Sequence, residues 1–214
     1  MLDPVAVEFD EENHTYWLPD TKERLAYSVT QVCAWDMTDQ KRTNINRTRD
    51  QWALRGPAVH KAMEAFLTNG MEKPLLEAVF KPKGEKPDFK EWIVPLLELE
   101  MWKNLEPLLV EGRLYDAKKS IGGSCDLLAR HGGKTVLFDL KTQSSQKASV
   151  YDISRQLGGY ICMINDHYGL EIDEARGIWC RPGKTFIGKD LGVQKCIDEW
   201  QGAWDCFKLT QPRF

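Results

Sequence analysis

The sequence predicts one α/β domain, built as a mixed α+β sheet flanked by helices, and three observations carry that expectation. A Gly-Gly turn joins two β-rich runs, long segments elsewhere place apolar residues at helical spacing, and the elements run helix, three strands, helix, strand. Three consecutive antiparallel strands followed by a crossover helix produce a sheet of mixed direction. With 214 residues, 42% hydrophobic and 29% charged, the chain is long enough to bury a core without a disulfide or structural metal.

Taken in order, residues 5–9 and 14–18 are β-forming runs around the turn-prone residues 10–13, so residues 1–27 read as an N-terminal hairpin. Ser28 is a fitting N-cap for a short helix through Val29, Val32 and Cys33. Residues 41–55 carry Lys41, Arg42, Arg47, Arg49 and Arg55 against the single acid Asp50, a local departure from the net charge of −3. Pro57 suits a first helical position, and Val59, Ala62, Met63, Phe66 and Leu67 make an apolar stripe that ends at Asn69-Gly70. Residues 81–87 read as a surface loop. A second helix is expected over 88–104, with Phe89, Trp92, Ile93, Leu96 and Leu97 on one side and Pro95 as a point of kinking. Strands follow at 108–115, 123–130 and 134–141, then a helix at 150–168 and a strand at 175–180. Val193, Cys196, Ile197, Trp200, Trp204 and Phe207 mark a last helix within 190–208. The core of the domain is expected over residues 55–180.

Several classes of protein fall away at this point. The longest apolar runs, such as residues 92–97, are far shorter than the roughly 20 residues needed to span a bilayer. Residues 1–10 lack the basic-then-apolar pattern of a targeting segment. Six dispersed cysteines without tight pairs suit a reducing compartment, so a cytoplasmic protein with no membrane partner is expected.

The Gly132-Gly133 hairpin concentrates the chemistry. Pairing His131 with Lys134 and counting away from the turn places Asp126 opposite Asp139, and Ser124 opposite Lys141 on the same face. The other face carries Cys125, Leu127 and Ala129 against Leu140, Phe138 and Val136. Two opposed carboxylates repel unless a cation lies between them, and oxygen ligands at this separation suit Mg²⁺ or Mn²⁺. Lys141 is then placed to orient or deprotonate a water, or to offset charge on a phosphate. The alternative is a solvated Asp126 beside an ordinary surface ion pair of Asp139 with Lys141.

These residues also carry a family resemblance. Gly123-x-x-Asp126, twelve intervening residues and Asp139-Leu140-Lys141-Thr142 resemble the motif of the PD-(D/E)XK nuclease superfamily. The nearest branch is the RecB-like one, with its phage-type and mitochondrial genome maintenance exonucleases. Arg55-Gly56-x-x-Val59-His60-x-x-x-Glu64 is similar to that branch's GxxxH helix, Gln156-x-x-x-Tyr160 to its QxxxY motif, and Tyr27-Ser28-Val29-Thr30 to its SVT segment. Ser124-Cys125 departs from the proline of the superfamily's name, and Pro57 stands where relatives often have threonine.

The resemblance implies a restriction-endonuclease-like core and a Mg²⁺- or Mn²⁺-dependent deoxyribonuclease, an exonuclease of recombination, repair or replication acting at single- or double-stranded DNA ends. It implies metal ligation by His60, Asp126, Asp139 and the carbonyl of Leu140, and catalysis by Lys141 with Asp126 and Asp139. Gln156 and Tyr160 share a helical face and are expected against Lys141 or the DNA backbone. Glu64 and Glu111 are expected behind the ligands rather than on the metal. Arg47, Arg49, Trp52 and Arg55 are expected DNA contacts, and a recombination or single-strand-binding protein is a further expected partner. Two other readings stay open. One is a non-catalytic nucleic-acid- or partner-binding module on the same scaffold. The other is an iron–sulfur nuclease using Cys33, Cys180, Cys196 and Cys206, although no C-x-x-C occurs and Cys196 lies on an apolar stripe.

Overall fold

In the computed structural model, which describes residues 1–10, 13, 15–69 and 89–211, the chain opens with a small antiparallel sheet. Its strands are β1 (Glu8–Asp10), β2 (Thr15–Leu18) and β3 (Glu23–Arg24). The expected hairpin thus gains a third strand, while its residues 11, 12 and 14 lie outside the described residues. Val7, Tyr16 and Leu25 form its buried cluster.

β4 (Tyr27–Ser28) leads into α1 (Val29–Cys33) through a capping box. The Ser28 hydroxyl accepts the Gln31 N–H, and the Gln31 side chain accepts the Ser28 N–H, satisfying two groups the helix cannot pair itself. The basic run then folds into two helices that its composition did not announce, α2 (Asp39–Arg47) and α3 (Arg49–Trp52). α4 (Arg55–Asn69) carries Pro57 in its first turn and buries Val59, Ala62 and Met63 completely. The predicted loop at 81–87 and the first residue of the predicted 88–104 helix lie outside the described residues.

That second helix is shorter than expected. α5 (Lys90–Leu97) stops, and a 3₁₀ turn at Glu100–Asn104 follows. Pro95 sits inside α5 and lacks the N–H that would reach the Glu91 carbonyl. The freed carbonyl accepts the Gly183 N–H at 2.8 Å, so the proline ties α5 to the hairpin below it. At the helix end the Trp102 indole N–H caps the Leu96 carbonyl at 2.6 Å.

The main sheet comprises β4, β5 (Leu105–Asp116), β6 (Ile121–His131), β7 (Lys134–Thr142), β8 (Glu174–Arg181) and β9 (Lys184–Ile187). α6 (Ser154–Tyr168) connects β7 to β8, which pair in parallel, and α7 (Val193–Thr210) closes the chain. The predicted helix at 150–168 starts at Ser154, where Asp152 accepts both the Ser154 N–H and its hydroxyl. β9 was not predicted; a Pro182-Gly183 turn with Gly183 at φ +70 reverses the chain. Gly132 and Gly133 both have positive φ, as a tight two-residue hairpin turn requires.

The architecture is a mixed sheet with helices on both faces. α4 and α5 pack over Leu127, Ala129, Val136, Phe138 and Leu140. The other face holds Leu128, Leu137 and Trp179 against α1, α6 and α7. Cys125 departs from the predicted set: it packs in the cluster of α6 and α7 rather than with Leu127 and Ala129. It lies beside Gly112, directly after a left-handed Glu111 that breaks the period-two alternation of β5. No helix among the described residues is long and apolar enough to cross a membrane.

Candidate metal centre

The β6–β7 register is the one counted from the turn: His131 faces Lys134, and pairing continues through Leu127 opposite Phe138. One step further the two strands part. There the Leu140 N–H donates to Asp126 Oδ2 instead of to a strand carbonyl. Further along the same edge of β6, β4 takes over, with Tyr27 beside Ile121 and Ser28 beside Gly122. The parting leaves Asp126 and Asp139 at the mouth of a gap between strands.

On the opposite edge of β6, Val110 pairs with Leu127 and Gly112 with Cys125, so Glu111 is bracketed opposite Asp126. Glu111, Asp126 and Asp139 therefore occupy one row across three neighbouring strands. Glu111 holds a left-handed backbone, φ 48, which is costly for a residue with a Cβ and is found where surrounding structure fixes a functional side chain. α4 supplies the fourth group. His60 Nδ1 lies 2.9 Å from Glu111 Oε1 and 3.5 Å from Asp126 Oδ1. One ligand atom each from His60, Glu111 and Asp126 falls within 4.8 Å of the others.

Asp139 is fully buried, and neither of its oxygens has an aligned hydrogen-bond donor. Lys141 Nζ stands 2.7 Å from Asp139 Oδ2 as a charge contact and donates instead to Gln156 Oε1 at 2.9 Å. Gln156 Nε2 then donates to the Tyr160 hydroxyl at 3.1 Å. The alternative of a solvated Asp126 beside a surface ion pair does not hold, because Asp126 and Asp139 are both buried and Lys141 is half-buried. Gly123 is explained by the same packing: a Cβ there would lie 2.8 Å from both Tyr160 Cε1 and Val29 Cγ2. Tyr16 reaches in from the small sheet, its hydroxyl 3.3 Å from Ser124 Oγ.

Electrostatics follow from crowding four acid and base groups out of water. Burial pushes the Asp139 carboxyl up to about 6 against the opposing pull of Lys141, and burial likewise raises Asp126. For His60, burial disfavours the imidazolium, but the Asp126 charge and the Glu111 hydrogen bond outweigh it and hold the pKa at about 9. Burial also opposes the charge on Lys141, yet Asp139 and Asp126 keep its pKa above the ordinary lysine value, so Lys141 is a cation at neutral pH.

The sign of the pH effect is fixed by these directions. His60 binds its proton more tightly folded than unfolded, so its contribution is full below about pH 6.5 and is lost as pH rises to about 9. Asp139 adds to the decline at lower pH, between its ordinary value of 3.8 and about 6. In EDTA the melting temperature should therefore fall from pH 6.5 to 9. With excess Mn²⁺ the fall should flatten, since a bound cation displaces the His60 proton. Scanning calorimetry across that range checks this; a flat profile in EDTA would contradict it.

The structure brings His60, Glu111 and Asp126 within 4.8 Å of one another, and Asp139 with Lys141, Gln156 and Tyr160 lies beside that trio rather than within it. Leu140 joins them: its N–H leaves the strand toward Asp126, and in an extended strand the carbonyl of the same residue leaves by the same edge. Glu111, expected behind the ligands, is in direct contact with His60. The signal was present, because counting back from the 116–121 turn puts Glu111 opposite Asp126. No sequence signal marks Tyr16, whose position depends on how the small sheet docks. Glu64, one turn beyond His60, is not part of the carboxylate–histidine cluster.

The proposed DNA contacts divide. Arg47 and Arg49 are exposed on α2 and α3, and Trp52 is 38% exposed with its indole N–H on the Ile45 carbonyl. Arg55 is instead buried at the start of α4, its guanidinium 5.1 Å from the Trp92 ring centroid, so packing rather than a surface position holds it. The four cysteines do not converge. Cys180 is buried under α4 and α5, while Cys33 and Cys196 pack on the other face, and burial raises all three thiols. That arrangement does not fit a four-cysteine cluster.

No family model matches the chain, and no curated protein matches it. A solved structure described as the crystal structure of SSO0001 is 19% identical, covers 87% of this chain and 78% of its own, and superposes with a TM-score of 0.31. A likeness of that degree bears on neither fold family nor activity.

Proposed function

We propose that this chain is a Mg²⁺- or Mn²⁺-dependent deoxyribonuclease, an exonuclease hydrolysing phosphodiester bonds at DNA ends in recombination, repair or replication. The observation that carries the reading is the fully buried Asp139, in one row with Asp126 and Glu111, with the half-buried Lys141 ammonium 2.7 Å from its Oδ2. Lys141 offsets one negative charge at Asp139, but three carboxylates crowd here around one imidazole and one ammonium, and a further cation would relieve their repulsion. The donor set, three carboxylates and one imidazole, suits a hard divalent ion that tolerates one nitrogen ligand. His60, Glu111, Asp126 and Asp139 would hold it, with the Leu140 carbonyl on the same edge. Such an ion would supply Lewis-acid polarisation of the phosphate and would lower the pKa of a water.

The chain's own residues do the rest. Lys141, held beside Asp139, would orient the attacking water and offset charge on the phosphate. Gln156 fixes the Lys141 ammonium and Tyr160 fixes Gln156, a relay anchored in α6. Arg47 and Arg49 lie on the exposed basic segment and are proposed to neutralise phosphates along the strand. Digestion of end-labelled linear, circular and single-stranded DNA with Mn²⁺, against an Asp139→Asn control, tests the activity. Retention of DNA without hydrolysis at any metal concentration would favour the non-catalytic binding module instead.

A further inference from the structure

Beside the carboxylate row lies a small cleft that the reading above leaves unused. Its volume is about 280 Å³, at the lower end of pockets that take small ligands, and Tyr151, Ile153, Gly177, Trp179, Phe186 and Gly188 line it. Its place is fixed by strand register. Gly177 is the parallel neighbour of Asp139, and Trp179 the parallel neighbour of Lys141, each one strand spacing of about 5 Å away. Trp179 packs on the α6 face of the sheet, while its flanking residues Ile178 and Cys180 face the other way.

The cleft is built for a flat ring. Tyr151, 53% exposed, stands edge-on to Trp179 with ring centroids 5.0 Å apart, and it lies within electrostatic reach of Lys141 and Asp139. Phe186 forms another wall, with the Arg181 guanidinium 4.7 Å and the Lys184 ammonium 5.9 Å from its ring centroid. Glycines at 177 and 188 keep the space at the Trp179 indole nitrogen open: a Cβ would lie 2.7 Å from it at the first position and 3.1 Å at the second. Among the described residues that N–H has no hydrogen-bond acceptor, so it offers a donor inside the cleft.

The geometry points to a subsite for one unpaired nucleobase, stacked against Tyr151 and Phe186 and hydrogen-bonded by the Trp179 N–H, belonging to the nucleotide whose phosphate meets Lys141. This rests on the nuclease reading and deepens it to a substrate class: DNA ends that are single-stranded or frayed. The cationic Lys141 on the neighbouring strand and the aromatic walls of the cleft match the two halves of a nucleotide.

The test uses single-stranded oligodeoxynucleotides with 2-aminopurine at one or the other terminus, bound to the whole protein in EDTA so that no cleavage occurs. Wild type should quench one of the two probes. Tyr151→Ala should bind that probe about tenfold more weakly, and Trp179→Phe, which keeps a ring and removes the donor, should weaken it less. An abasic terminus that binds as tightly as the base-bearing one would overturn the proposal, as would unaltered quenching in both variants. The same DNAs with Mn²⁺ separate the two readings. Quenching without hydrolysis sinks the nuclease and keeps the cleft; hydrolysis that is equally fast at abasic, blunt and single-stranded ends sinks the cleft and keeps the nuclease.

Discussion

If the chain hydrolyses DNA as proposed, Asp139→Asn is expected to lower that activity on the order of 1,000-fold near neutral pH while the protein stays folded. The substitution keeps the shape of a side chain that is fully buried and removes only its charge. It should also abolish the rise in melting temperature that Mn²⁺ gives wild type, because a neutral amide is a poor ligand for a hard cation. Rate and melting measurements on the same preparation distinguish this from simple unfolding. Near-wild-type cleavage in Asp139→Asn would remove Asp139 from the chemistry.

The second large effect concerns the scaffold. Gly158 on α6 faces α7 so closely that a Cβ would lie 1.9 Å from the Cys196 carbonyl oxygen and 2.8 Å from Trp200 Cβ. Backbone cannot yield as a flexible side chain can, so Gly158→Ala must push the two helices apart. We expect a loss of about 3 kcal/mol, or roughly 6–12 °C in melting temperature for a chain of this length. Gly202→Ala on α7 is the internal control. Nothing lies within 4 Å of its Cβ position, so the higher helix propensity of alanine should leave stability unchanged or raised by about 1 kcal/mol. Equal melting temperatures for the two variants would show that the α6–α7 crossing is looser than described. The consequence reaches the site, since α6 also carries Gln156 and Tyr160.

What was legible in the sequence was local. The Gly132-Gly133 turn fixes a register, and the count from it reached Leu127 and Phe138 without error because no bulge intervenes on that ladder. The same count from the turn at 116–121 brings Glu111 to Asp126, and the register shift between Pro107 and Leu109 falls only beyond that point; what the count does not show is that Glu111 takes a left-handed backbone and meets His60. Short elements escaped for a related reason. β9 is four residues long and α3 another four, too short for periodicity to rise above chance. α5 ended early because its stripe of apolar residues continues past Leu97 while its backbone hydrogen bonding does not. Long-range placement was illegible altogether: nothing in residues 1–27 says that Tyr16 will meet Ser124 across 108 positions.

The same limit applies to charge. Arg55 belongs to a basic run in the sequence, yet the fold buries it over Trp92 and leaves Arg47 and Arg49 outside. A run of like charges is a statement about composition, and which members face solvent is decided by helix phase.

The central claim is that one divalent ion sits among His60, Glu111, Asp126 and Asp139. Anomalous diffraction from crystals soaked in Mn²⁺ measures this most directly. The account predicts a peak bonded to His60 and to carboxylate oxygens of Asp126 and Asp139, at the ligand distances of an octahedral ion, roughly 2.0–2.3 Å. A peak elsewhere on the molecule, with the His60–Glu111 contact still closed, would contradict it.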